Sequence, residues 1–148
     1  MNAESTAPAT TAERTIRVTA TDEKSLLAAV LHHLFYAKGD ISPEPGAQSI
    51  QSPEGEVIGF RADGHDVAGL LDAAIAAALD EADSQNVFVL DVEIGGVLST
   101  PDGIRCWGYL TTTPRTVSPA STFVVTSSTL IAADERLCAE VVFAIGTA

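Results

Sequence analysis

Two stretches of this chain carry apolar residues at helical spacing, and most other apolar residues alternate with polar ones. That combination constrains the fold more than any other feature. Leu26, Leu27, Val30, Leu31, Leu34 and Phe35 form one helical stripe; Val67, Leu70, Leu71, Ala74, Ile75, Ala78 and Leu79 form the second. A helix with one apolar stripe must bury it against another layer, and the alternating segments supply sheet to cover it. Thr21 is the expected N-cap of the first helix, with Asp22 and Glu23 at the positive end of its dipole. That helix is expected to stop near Lys38, with Gly39 in the left-handed closing position. Asp66 is placed to cap the second helix, which closes on Asp80, Glu81 and Asp83. Acids at a negative helix end cost roughly 0.3–1 kcal/mol each, and the local sequence gives no reason for them beyond surface charge.

Period-two patterns mark the strands. Arg14 to Ala20 has Ile16 and Val18 on one face. "AQSIQSPEGEVIGFRADG" reads as two short strands around a Ser-Pro-Glu-Gly turn, after the loop "DISPEPG". "NVFVLDVEI" puts Phe88, Leu90, Val92 and Ile94 on one face and Asp91 and Glu93 on the other. Gly95–Gly96 and Pro101–Gly103 read as turns. Three more strands follow in "IRCWGYLTT", "STFVVTSSTLI" and "RLCAEVVFAI", the last with Leu137, Ala139, Val141, Phe143 and Ile145 on one face. In the serine- and threonine-rich strand, Thr126 and Ser128 are expected beside Val124, and Ser127 beside Phe123 and Val125. No internal repeat is visible. The expected class is α+β, two helices packed on mainly antiparallel sheet, with residues 1–12 a disordered polar tail and 13–148 one domain.

The chain has 148 residues, 46% of them hydrophobic, which suffices for a core. Its 20 acids against 8 Lys and Arg give a net charge of −12. That surplus repels phosphate backbones, so direct nucleic-acid binding is not expected. No apolar run is long enough to span a membrane, and the first dozen residues lack the basic and apolar regions of a signal peptide. With Cys106 and Cys138 too few for a disulfide framework, the expectation is a cytoplasmic protein with reduced thiols.

Few residues suggest chemistry. No phosphate-binding glycine loop and no Gly-x-Ser-x-Gly elbow occurs. His32 and His33 are adjacent, so they point about 100° apart on a helix and do not chelate one ion together. The plain reading is one solvated and one boundary histidine, with His65 a loop residue. Asp91 and Glu93, on one strand face about 7 Å apart, have the arrangement of an acid/base pair, and equally of an exposed polar face. Either cysteine is a nucleophile only if a base meets it, and a small buried thiol is the commoner role. Trp107 and Tyr109 share a strand face, as a ligand platform or as packing.

Five stretches follow one another in a familiar order: "TTAERTIRV", "LFYAKGD", "GHDVAGLLDAAIAAAL", "VVTSSTL" and "VVFAI". Together they resemble the archease family, small α+β proteins that assist the RNA ligase of tRNA splicing. Members open with His-Thr-Ala-Asp before the first strand. Here Thr10 stands at the histidine, Thr11 and Ala12 match, and Glu13 replaces the aspartate. Leu34 and Phe35 match the family's Leu-Phe, and Asp40 falls at the acid that follows. In the family's Ala-Val-Thr-Tyr-His-x-Leu strand, Val125 and Thr126 match, while Ser127 and Ser128 replace Tyr and His. In its Val-x-Phe-Asp-Ile strand, Ala144 stands where an aspartate is expected. The resemblance implies a non-enzymatic accessory protein with a protein partner, an RNA ligase. It also implies a divalent metal, calcium or magnesium, held by Glu13 with Asp40. Hard cations want several oxygen ligands, and Ala144 offers none, so the expected binding is weak. The alternatives are a small hydrolase or lyase using Asp91 and Glu93 or a cysteine, and a ligand-binding module built on Trp107 and Tyr109.

Overall fold

The computed structural model describes residues 11–38, 56–114, 121–133 and 135–147. The elements run β1 (Thr11–Ala20), α1 (Glu23–Lys38), β2 (Glu56–Gly64), α2 (Val67–Gln85), β3 (Val87–Thr100), β4 (Gly103–Pro114), β5 (Ser121–Ala133) and β6 (Arg136–Thr147). The strands form two antiparallel three-stranded sheets, ordered β1-β6-β5 and β2-β4-β3. This is the expected α+β class. The first strand begins at Thr11, within the stretch read as tail. Of the hairpin read across residues 47–64, only its second strand falls among the described residues, and that strand pairs with β4.

Both helices pack against strands of both sheets. The stripe of α1 is fully buried from Leu26 to Phe35, and Leu70, Leu71, Ala74, Ile75 and Ala78 of α2 are buried with it. Burying each large aliphatic side chain contributes on the order of 1.5–3 kcal/mol, so these stripes hold the sheets together. Val18, Phe60, Ala62, Leu110, Val141 and Phe143 close over them from the strands. Phe123 stacks on Phe143, ring centroids 5.0 Å apart.

A repeat invisible in the sequence organises this arrangement. Each sheet is built by a strand, a helix and a hairpin, with the first strand paired to the hairpin's second. The unit β2–α2–β3–β4 is inserted into the unit β1–α1–β5–β6, between its helix and its hairpin. The turn from strand to helix is the same in both. One residue follows the strand, then an aspartate caps the helix: Asp22 Oδ1 accepts from the Ser25 N–H at 2.7 Å, and Asp66 Oδ1 from the Gly69 N–H at 2.8 Å. Thus Asp22, not Thr21, is the cap of α1. The two units share this geometry without an evident sequence repeat.

Three expectations fail at β-bulges, where an added residue reverses which face each side chain takes. Between Val89 and Asp91 the register skips Leu90. Val87 and Val89 are therefore buried alongside Val92 and Ile94, and Phe88 and Leu90 lie on the other side of the alternation, only half-buried. Gly95–Gly96 is not a turn: it lies inside β3, where the register shifts again between Ile94 and Gly96. Trp107 lies across both glycines, and a Cβ at Gly96 would come within 2.5 Å of its ring. In β5 the skipped residue is Thr126. Its hydroxyl donates to the Val142 carbonyl at 3.1 Å. Ser127 therefore shares the outer face with Val124, and Ser128 shares the inner face with Phe123 and Val125, the reverse of the simple alternation. The Pro101–Gly103 turn stands as expected. Gly103 abuts the Gly64 carbonyl, with no room for a side chain.

One of the acids closing α2, Asp83, has a tertiary reason. Lys38 at the end of α1 reaches Asp83, Nζ to Oδ1 3.6 Å, which joins the C-terminal ends of the two helices. Asn86 then closes α2 in the left-handed conformation.

Capping holds the Asp22 carboxyl below the usual aspartate range, chiefly through the Ser25 N–H and then the Ser25 hydroxyl. A lowered folded pKa adds stability above the unfolded value, and this is lost as pH falls through the folded value. Asp22→Asn keeps a capping oxygen that does not titrate. The stability gap between wild type and Asp22→Asn, measured by urea melts, is therefore expected to shrink from pH 6 to below about pH 3.9.

Candidate functional site

The acid at the tail-to-strand junction and the final strand lie side by side. Glu13 of β1 is the register partner of Ala144 of β6. Phe143 is buried in the core, so Ala144 and Glu13 take the outer face of that sheet. Further along this face Thr15 stands opposite Val142 and Arg17 opposite Glu140. Arg17 Nε donates to Glu140 Oε2 at 2.6 Å, and that bond raises the guanidinium's pKa further. Thr15, Arg17 and Glu140 line a shallow depression of about 420 Å³.

Along the ladder, then, Glu140 is engaged by Arg17 and Ala144 presents a methyl group beside Glu13. Among the described residues, no three His, Cys, Asp or Glu side chains come together to hold a metal. Asp40, the other expected ligand, lies outside the described residues. Glu13 alone is one carboxylate, and a Ca²⁺ site takes six to eight oxygens. The described residues by themselves do not fit a divalent cation, so any site depends on donors beyond them.

Ser128, at the family's histidine position, sits on the other face of the same sheet. The Thr126 bulge turns it inward, and its hydroxyl donates to Asp72 on α2. Glu13 and Ser128 are thus separated by the thickness of the sheet. Sequence reasoning missed the Asp72 contact, because its two residues lie 56 positions apart and the bulge that aims one at the other leaves no compositional mark.

The remaining candidates divide plainly. Asp91 and Glu93 do share a face, as read, but both are exposed beside Thr111 and Tyr109 on the solvent side of the second sheet. They lack the desolvation that a general acid relies on. Cys106 is fully buried, and burial pushes its thiol pKa up. A protonated thiol is a poor nucleophile. Both cysteines are free thiols. His32 and His33 are both exposed, so the boundary position read for His33 is not observed; their rings meet edge to face at 6.4 Å. Trp107 is occupied in covering Gly95 and Gly96, while Tyr109 beside it is 43% exposed.

A second depression that the sequence did not foretell lies at the end of the second sheet. It measures about 590 Å³ and is lined by Asp63, His65, Asp102 and Arg105 together with the Thr100–Ile104 turn. Arg105 Nε donates to Asp63 Oδ1 at 2.6 Å across β2 and β4, which neutralises the site's guanidinium. No sequence signal marks it, since its walls come from segments some forty residues apart.

No family model matches the chain, and no curated protein matches it. Among solved structures it is similar to the solution structure of protein 1598 from Methanobacterium thermoautotrophicum, at 13% identity and a TM-score of 0.58, over 88% of this chain and 91% of that one. The fold is archease-like. At this identity the likeness is one of fold alone.

Two outcomes follow from the geometry. Calorimetric titration of wild type with Ca²⁺ is expected to give a dissociation constant weaker than about 0.1 mM. Ala144→Asp, which sets a second carboxylate beside Glu13, is expected to tighten it about tenfold, and Glu13→Ala to erase that gain. In thiol labelling with a soluble disulfide reagent, Cys106 is expected to react only at the rate of unfolding, with Cys138 reacting ahead of it.

Proposed function

We propose that this is a non-enzymatic, archease-like accessory protein that acts in the cytoplasm by binding a partner enzyme, an RNA ligase of tRNA splicing or RNA repair. The observation that carries the reading is the junction of β1 with β6. The fold sets Glu13 and Ala144 side by side, at the two strand positions where the family resemblance expects metal-binding acids. The same observation separates this chain from the family pattern. One acid is lengthened by a methylene and the other has lost its oxygens, so a cation bound here by Glu13 and Asp40 is held weakly. The role then rests on the protein surface more than on an ion.

Charge supports a protein partner. At −12 the chain repels RNA and attracts a basic surface, and enzymes that grip RNA carry such surfaces. The hydrolase reading loses its support, because Asp91 and Glu93 are solvated and Cys106 is buried with its pKa raised.

The test adds the purified protein to a tRNA-splicing RNA ligase and follows multiple turnovers on a cleaved RNA. A rise in turnover of at least about fivefold, the lower end of typical coupling between sites, is expected without direct RNA binding by this protein alone. Unchanged turnover together with no retention of ligase on the immobilised protein would remove the reading.

A further inference from the structure

The four strands at the sheet margins are not equally protected. An edge strand exposes a row of unpaired N–H and C=O groups, and proteins discourage its pairing with charged side chains, bulges or proline. β1 carries Glu13, Arg14 and Arg17; β2 carries Glu56, Arg61 and Asp63; β3 carries Asp91 and Glu93 and two bulges. β5 carries no charged residue and no proline over its whole length, Ser121 to Ala133. Among the described residues it pairs with β6 alone. Its single bulge lies at Thr126, which leaves Ser127 to Ala133 as a regular stretch. Val124 and Ile131 are each 56% exposed.

We propose that β5 is a self-association edge: it pairs antiparallel with β5 of a second copy about a two-fold axis, joining two three-stranded sheets into one of six. Charge selects this occupant and this site. Two copies of a chain at −12 repel over most of their surfaces, and β5 is the edge where backbone groups can meet without bringing acids together. A two-fold contact is self-complementary, so one uncharged strand supplies both sides. The pairing is also chemically suited, because threonine and β-branched residues such as Thr129 and Ile131 favour cross-strand contact. The inner face remains committed within each copy, with Ser128 held by Asp72, so association does not require the core to open. Pairing by one strand alone makes a modest interface, so the dimer forms with concentration.

Sedimentation velocity and equilibrium, run from micromolar to millimolar protein, test this. Wild type is expected to move from 15.3 kDa toward twice that mass. Thr129→Lys and Thr129→Asp are surface changes whose folding is checked by circular dichroism and melting. Each paired with the matching change at Ile131 is expected to weaken association at least about tenfold through like-charge contact, and mixing the lysine and aspartate variants is expected to restore it. A wild type that stays monomeric throughout overturns the proposal and leaves the edge to a foreign strand. A dimer indifferent to both variants overturns it as well, since its interface then lies elsewhere.

Discussion

Two helices must each hide an apolar stripe, and neither sheet is large enough to hide both. This constraint organises the molecule. α1 buries Leu26 through Phe35 against β1, β6 and β3, and α2 buries Leu70 through Ala78 against β2, β4, β3 and β5. Each helix therefore touches both sheets, and the helices act as the shared core of two otherwise separate ladders. The nested order of the chain follows from the same demand. With one strand–helix–hairpin unit inserted into the other, the inner unit completes its sheet at β4, while the outer sheet waits for β5 and β6 at the end of the chain. The β1–β6 pairing that creates the Glu13–Ala144 junction joins residues from opposite ends of the chain. Non-local pairing of this kind is slow to form and is rewarded only when the intervening unit is in place.

The β-bulges carry that constraint to the surface. A strand read by simple alternation has one buried face, yet β3 buries Val87 and Val89 before its first bulge and Val92 and Ile94 after it. A single extra residue lets the strand keep covering the helices as it twists. The same device in β5 sends Ser128 inward to Asp72 and leaves Ser127 outside. Where the second bulge thins β3 to Gly95–Gly96, Trp107 fills the missing side-chain volume. This is why the most conspicuous aromatic of the chain serves packing before any ligand.

Functionally, the scaffold separates what a short motif would suggest belongs together. Positions 13 and 144 meet on the outer face, while position 128 lies on the inner face behind the sheet. Position 13 keeps its negative charge, and 144 and 128 offer a methyl and a hydroxyl. Among the described residues no cluster of three or more acidic, histidine or cysteine side chains forms around them.

The sequence by itself determined the two helices, their buried stripes, the Asp66 cap, the strand count of the carboxyl-terminal half and the α+β class. Each is a local property, read from spacing and turn chemistry within a few residues. The junction of Glu13 with the final strand was legible only through family likeness, since residues at opposite ends of a chain share no local pattern. The tertiary structure alone decided the facing of Val87, Val89 and Ser128, the nested repeat and the cavity beside Arg105. The nested repeat and the cavity join segments far apart in the chain, and the three facings turn on the bulges. One bulged residue inverts every assignment beyond it, and its position is set by how a strand must twist to stay on the helices beneath, which no stretch of sequence records on its own.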